Sequence, residues 1–347
     1  MLVKDPLLSR ALVIINEFGA IGLDHLLVEK VDGDMLLMSS GCLCCTIRGD
    51  LVSTFEDVMR RLDNGRMAPI GRVLIETTGL ADPAPILHTL MSHPYLALRL
   101  RLDGVITLVD AIHGFATLEA HGEALKQVAV ADRLVLTKTD MVKSAVEFER
   151  LHRLRERLAA LNPAAPIFDA AAGEATAERL LDAGVYDPTT KSAHVHDWLR
   201  WEAYANVGKH REHAHDANRH GDDIVAFGLT AARPLPDAGF KLFIEMVRQT
   251  YGAQLLRVKG LVCLDSDPSR PLLVHGVQHL FYPAQRLANW PDDDCSTRVV
   301  FITKGLAPSC VEGLWRAFLG EPGIDTPDAA ALSDNPLAPR ADRGLLG

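Results

Sequence analysis

Arg133-Leu134-Val135-Leu136-Thr137-Lys138-Thr139-Asp140 is the stretch on which the fold turns: a short apolar run that stops on a cluster of polar residues. A run this brief and this apolar is what a strand buried on both faces of a parallel sheet looks like. The same pattern recurs in Ala11-Leu12-Val13-Ile14-Ile15-Asn16, Arg72-Val73-Leu74-Ile75-Glu76 and Gly104-Val105-Ile106-Thr107-Leu108-Val109-Asp110, with helix-like segments between them. Strands that alternate with helices predict a doubly wound α/β unit with a mostly parallel sheet. Ligands of such sheets sit beyond the carboxyl ends of the strands, so Asn16-Glu17, Glu76-Thr77-Thr78, Asp110 and Thr137-Lys138-Thr139-Asp140 are expected along one edge.

Outward from this core, Asp140 to Ala160 reads as a helix of mixed charge and Pro166-Ile167-Phe168-Asp169-Ala170 as a last short strand, which closes a first domain over residues 1–184. Residues 185–222 change character. His194, His196, His210, His213, His215 and His220 appear there with Gly208 and Gly221 but without a sustained apolar period, as in a linker. A smaller α+β domain is expected over 223–319, with strands near 224–230, 255–264, 272–280 and 298–303, a helix near 237–251 and another after Pro308. Residues 320–347, rich in Ala, Pro, Asp and Gly, read as a disordered tail.

A chain of 347 residues, 48% hydrophobic and 23% charged, is long enough for two cored domains. A formal charge of -9 argues against a nucleic-acid or anionic-membrane surface. No apolar stretch reaches the ~18 residues of a membrane span, and the first residues lack the core of a signal peptide, so a cytoplasmic protein is expected. Six cysteines are too few for a disulfide framework at this length.

Three of those cysteines fall within four residues, in Gly41-Cys42-Leu43-Cys44-Cys45. Thiols this close can converge on one soft cation such as Zn²⁺, Cu⁺ or Co²⁺, with Gly41 freeing the backbone to turn. No second cysteine pair stands at zinc-finger spacing, so an open or exchangeable site is implied rather than a closed structural one. The alternative is a set of buried apolar cysteines or a redox pair. Thr137-Lys138-Thr139-Asp140 fits a guanine-recognition loop in which a carboxylate accepts from the purine N1 and N2 donors and a Lys stem covers the ring. A solvated turn with a helix-capping Asp is the plainer alternative. Glu76-Thr77-Thr78-Gly79 ends a strand with groups able to hold Mg²⁺ waters and a backbone N–H able to meet a γ-phosphate, or else forms a capped loop before a helix at Pro83. The histidines of the linker either gather borderline metals weakly or are merely solvated.

In this order, Asn16-Glu17-Phe18-Gly19, Gly41-Cys42-Leu43-Cys44-Cys45-Thr46-Ile47-Arg48-Gly49-Asp50-Leu51, Glu76-Thr77-Thr78-Gly79-Leu80-Ala81-Asp82-Pro83 and Thr137-Lys138-Thr139-Asp140 resemble the CobW-like family of metal-insertion GTPases. The likeness continues through Arg257-Val258-Lys259-Gly260 and Val274-His275-Gly276-Val277 and spans roughly residues 11 to 305. It implies a P-loop GTPase fold and a GTP hydrolase that carries zinc, or cobalt, on Cys42, Cys44 and Cys45 and delivers it to a client metalloprotein. By position it makes Glu76 and Gly79 the Mg²⁺ and γ-phosphate residues, Lys138 and Asp140 the guanine residues, and Glu17 an acidic switch residue that approaches the metal.

The sequence departs from the family in one respect. Members open with a strand and Gly-x-x-Gly-x-Gly-Lys-Thr, whereas no Gly-x-x-x-x-Gly-Lys-Ser/Thr occurs here. Without it there is no nest of N–H groups for the phosphates and no Lys on the β/γ oxygens, so guanine nucleotide binding is expected only where that loop is restored. The first strand of the sheet would be missing too, leaving neighbouring strand edges unpaired. The remaining motifs favour a start that lies upstream. The rival expectations are a non-enzymatic metal buffer and an activator of one metalloenzyme, such as a nitrile hydratase.

Overall fold

The computed structural model describes residues 5–15, 37–39, 43–79, 81–181, 224–282 and 284–320. The expected linker at 185–222 and the tail beyond Gly320 lie outside these residues, as do Glu17 and Cys42.

The apolar runs become strands almost residue for residue. β1 (Ala11–Ile15) pairs in parallel with β2 (Leu37–Ser39) on one side and with β3 (Arg72–Glu76) on the other. β4 (Ile106–Asp110), β5 (Arg133–Thr137) and β6 (Ile167–Asp169) form a second parallel sheet in that order. Helices α1 (Leu43–Asp63), α2 (Ala84–Ser92), α3 (Pro94–Arg99), α4 (Gly114–Ala120), α5 (Gly122–Val130), α6 (Ala145–Leu161) and α7 (Ala177–Leu180) cover them. The expected single sheet is thus two half-sheets. Among the described residues nothing pairs with the outer edge of β3 or of β4; an ion pair from Arg72 to Asp103 ties their amino ends together. The open flank leaves Leu108, in the middle of β4, 68% exposed.

The expected helix after Asp140 begins later, at Ala145, because Ser144 and Glu147 form a capping box. The Ser144 hydroxyl accepts from the Glu147 N–H, and the Glu147 carboxylate accepts from the Ser144 N–H at 2.9 Å.

The C-terminal unit is an antiparallel sheet. β7 (Ile224–Ala231), β8 (Leu255–Val262), β9 (Leu272–Val277), β10 (Leu280–Phe281), β11 (Gln285–Arg286) and β12 (Thr297–Lys304) lie in the order β10-β9-β8-β12-β7, with β11 on β9. Every residue of β8 is buried, since helices press on both faces of the sheet. On one face α8 (Asp237–Tyr251) and α9 (Pro308–Phe318) bury Phe243 and Trp315 against Phe301. On the other, Leu125 and Val128 of α5 and Leu154 and Leu158 of α6 share one core with Leu256, Leu261, Val300 and Ile302. That shared core makes α5 a common wall of the two units. Gly260 lets β12 approach closely there: a Cβ on it would meet Val299 Cγ2 at 2.8 Å. No helix among the described residues is long and apolar enough to cross a membrane.

Candidate functional site

The loop after β5 is held from beneath by two strand-end carboxylates. Asp110 ends β4 in register with Thr137, and its Oδ2 accepts from Lys138 Nζ at 2.7 Å. Its Oδ1 takes the Ile112 and His113 N–H groups. Burial works against the Asp110 carboxylate, but the Lys138 bond and the two N–H groups outweigh it and hold the acid below its ordinary range. Asp169, which ends β6, accepts from the Thr139 hydroxyl at 2.6 Å and from the Ala171 and Ala172 N–H groups. Lys138 sits at φ 60, the left-handed region that side chains avoid. Such a conformation in a non-glycine residue is a strain that its surroundings must over-determine, and it gathers at functional sites.

Asp140 is exposed, and among the described residues its carboxylate accepts no hydrogen bond. It does not cap α6, since Ser144 does, so the helix-capping alternative has no support. The loop therefore offers a braced backbone, a Lys stem lying over Asp110 and an outward carboxylate.

The loop after β3 is built differently. Glu76 ends the strand, exposed, and a turn closes from the Ala81 N–H to the Thr78 carbonyl at 3.1 Å. Gly79 is exposed, has no positive φ, and a Cβ added there would meet nothing within 4 Å. Neither sterics nor backbone angle within the described residues demands a glycine, whereas close approach of a ligand to the backbone would. The loop is gripped from α5: Gln127 Nε2 donates to the Gly79 carbonyl at 3.1 Å and to the Ala81 carbonyl at 2.9 Å. Lys126 Nζ donates to Asp82 Oδ2 at 2.7 Å, while Asp82 Oδ1 accepts from the Ala84 N–H at the start of α2.

For the cysteine cluster the backbone alone speaks. Cys44 and Cys45 lie in the first turn of α1, which begins four residues after β2 ends at Ser39. Ile15 pairs with both Ser39 and Glu76, so β1, β2 and β3 end level with one another. The cysteine segment and the segment carrying Glu17 thus leave the sheet at the edge where Glu76 stands. The strand ends bring together Asp110, Lys138, Thr139 and Asp169 in one half-sheet and the approaches to Glu17, Cys42 and Glu76 in the other.

One polar cluster escaped the motif reading. Asp132, just ahead of β5, is buried, and its Oδ1 accepts from Arg257 Nη2 at 2.5 Å and Lys259 Nζ at 2.7 Å, both on β8. Its Oδ2 accepts from the Val105 N–H at 2.9 Å. Burial opposes the ionised form, but the two cations outweigh it and hold the carboxyl far below the usual range. Two cations share one oxygen, and a guanidinium keeps its proton, so the conflict falls on Lys259: burial and Arg257 bring its pKa down to about 7. His275, stacked on Tyr282 at 4.7 Å, is pushed well down by burial first and then by Arg257. A lone Asp in an apolar run gave no signal that it would meet partners 125 and 127 residues away.

Comparison with known proteins agrees with this geometry. Residues 2–169 match the family model of the CobW/HypB/UreG nucleotide-binding domain, and residues 224–319 that of the cobalamin synthesis protein cobW C-terminal domain. The zinc chaperone YjiA of Escherichia coli is 33% identical over 290 residues, covering 84% of each chain. The zinc chaperone CobW of Pseudomonas aeruginosa is 29% identical, covering 89% of this chain and 84% of its own. The zinc-regulated GTPase metalloprotein activator 1 of Schizosaccharomyces pombe is 28% identical over 79% of this chain. Among solved structures, the Zn(II)-bound YjiA GTPase from E. coli superposes with a TM-score of 0.64 at 24% identity, over 89% of this chain and 98% of that one, a likeness of fold.

Proposed function

Because the chain belongs to the CobW family, we propose that it is a GTP-dependent metallochaperone that carries zinc, or cobalt, and passes it to a client metalloprotein. The observation that carries this reading is the level ending of β1, β2 and β3, which sends the cysteine segment off the sheet beside Glu76. Metal cargo and the nucleotide's magnesium end would then lie at one edge, so that a change in phosphate number is felt where the metal is held.

In this reading Cys42, Cys44 and Cys45 are the thiolate ligands and Glu17 approaches the same ion. Three thiolates without a fourth cysteine leave a position through which cargo exchanges. Glu76 orients waters on Mg²⁺, and the Gly79 N–H meets the γ-phosphate, where the absence of a side chain permits close approach. Asp140 accepts from N1 and N2 of guanine, while the Lys138 stem covers the ring, its charge anchored on Asp110. Thr139, bonded to Asp169, holds the loop between them.

The test is competition for zinc against a chromophoric chelator, with and without GTP and Mg²⁺. The expected result is tight binding that GTP alters and that Cys44→Ser abolishes. Because no Gly-x-x-x-x-Gly-Lys-Ser/Thr lies in these residues, the nucleotide arm is run on a form extended by its upstream codons as well as on the chain itself. Zinc binding indifferent to GTP in the extended form would leave a metal buffer and overturn the nucleotide-dependent reading. Retention of zinc by Cys44→Ser would overturn the cysteine assignment.

A further inference from the structure

The two polar sites that sequence motifs do not describe, Gln127 with Lys126 and Asp132, sit on consecutive turns of one short segment. α5 carries Lys126 and Gln127 to the loop after β3, and the residue pair that follows α5 carries Asp132 to β8. Between these grips the segment is stiff. The buried Asn162 amide donates to the Val128, Ala129 and Ala131 carbonyls at 2.8, 3.3 and 2.8 Å, so the end of α5 is held by one side chain. The apolar face of α5 is locked into the core it shares with β8 and β12.

We infer that α5, gripping the Glu76–Pro83 loop through Lys126 and Gln127 and β8 through Asp132, transmits the state of that loop to the C-terminal sheet, with Gln127 and Asp132 as positioning residues. The argument is geometric. Gln127 holds two loop carbonyls and hence two planar peptide units, so a loop that rearranges must either break both bonds or carry α5 with it. α5 in turn cannot shift without moving Asp132 from Arg257 and Lys259, which would strand two buried cations. The path therefore has a strained alternative at each end rather than a gradual give. Calling the loop's two states nucleotide states rests on the reading of Gly79 as a γ-phosphate contact; the mechanical link does not.

Hydrogen–deuterium exchange on the full chain without nucleotide tests the link, so that a failure of GTP to bind would overturn the proposed function and leave this readout intact. Gln127→Glu, nearly isosteric, turns two donors into an acceptor facing two carbonyls. It is expected to speed exchange several-fold in 76–83 and also in 255–262. Asp132→Asn is expected to do the reverse, opening 255–262 and, at a distance, 76–83. Lys259→Met, which keeps the Arg257 pair, stands in if Asp132→Asn fails to fold. Val247→Ala, a cavity in the other core of the C-terminal unit, serves as a control for general destabilisation and is expected to leave 76–83 unchanged. The effect should persist when His88→Ala removes the separate contact of α2 with the Val277 carbonyl at 3.0 Å. An Asp132 or Lys259 variant that opens 255–262 but not 76–83, equal opening of 76–83 by Val247→Ala, or loss of the effect beside His88→Ala would each overturn the inference.

Discussion

The two ends of β5 carry charge under opposite conditions. At the amino end Asp132 has a side chain 2% exposed and grips two cations that are themselves buried. At the carboxyl end Lys138 is 54% exposed, pairs with Asp110 across solvent, and holds a left-handed backbone. A buried ion hub is costly to form and far more costly to break, whereas an exposed pair contributes little net stability. The difference teaches that one strand divides its labour: its first polar residue secures the C-terminal unit, and its last ones are strained and outward because they are shaped for a ligand rather than for the fold.

The strongest attempt to break this contrast is Asp132→Ala. Stranding Arg257 and Lys259 is expected to cost about 3–5 kcal/mol, read as a lowered denaturant midpoint. A cost below 1 kcal/mol, which is the range of an exposed pair, would mean the amino end is no hub.

Next in size is the response to pH. Lys259 has a folded pKa of about 7 against 10.5 for the free side chain, so between those values the unfolded chain holds more protons and stability rises with pH. The midpoint is expected to climb from pH 7 toward pH 10, and Lys259→Met to flatten that climb. Asp132 acts in the acid range with the same sign: its stabilisation is present above its ordinary value of 3.8 and is lost as pH falls toward its depressed folded value.

Smaller again is Asp169→Ala, which removes the acceptor for Thr139 and for two N–H groups and is expected to cost about 1–2 kcal/mol while weakening guanine nucleotide more than it weakens zinc. Smallest is Asp140→Asn. Its carboxylate bonds nothing among the described residues, so stability should move by no more than about 0.5 kcal/mol. Guanine preference, by contrast, should shift toward xanthine, whose C2 carbonyl meets the new amide donor. A large stability loss from Asp140→Asn would erase the contrast between the two ends.

Much of this was readable in advance because it is local. Arg133 to Thr137 and Arg72 to Glu76 become strands with the expected bounds, and Asp237–Tyr251 is the expected helix, since side-chain period and chain stops act within a few residues. Ser144 was readable too, as the first half of a Ser-x-x-Glu box, yet a helix drawn from Asp140 passed over it. The candidate ligands at Glu76, Gly79, Lys138 and Asp140 stood out by their place at strand ends. Their supports did not: Gln127 sits in a helix as an ordinary polar residue, and Asp169 ends a strand too short to draw notice.

The sequence by itself determined the α/β succession, the apolar strands, the crowded thiols and the polar strand ends, because each is written in the spacing of neighbouring residues. Only the tertiary structure decided that the parallel strands form two half-sheets, that Gln127 faces the Gly79 loop, and that Asp132 meets Arg257 and Lys259. Those pairings join residues 46 to 127 positions apart. Burial at a shared core selects them, and no local period records which distant surface will be buried against which.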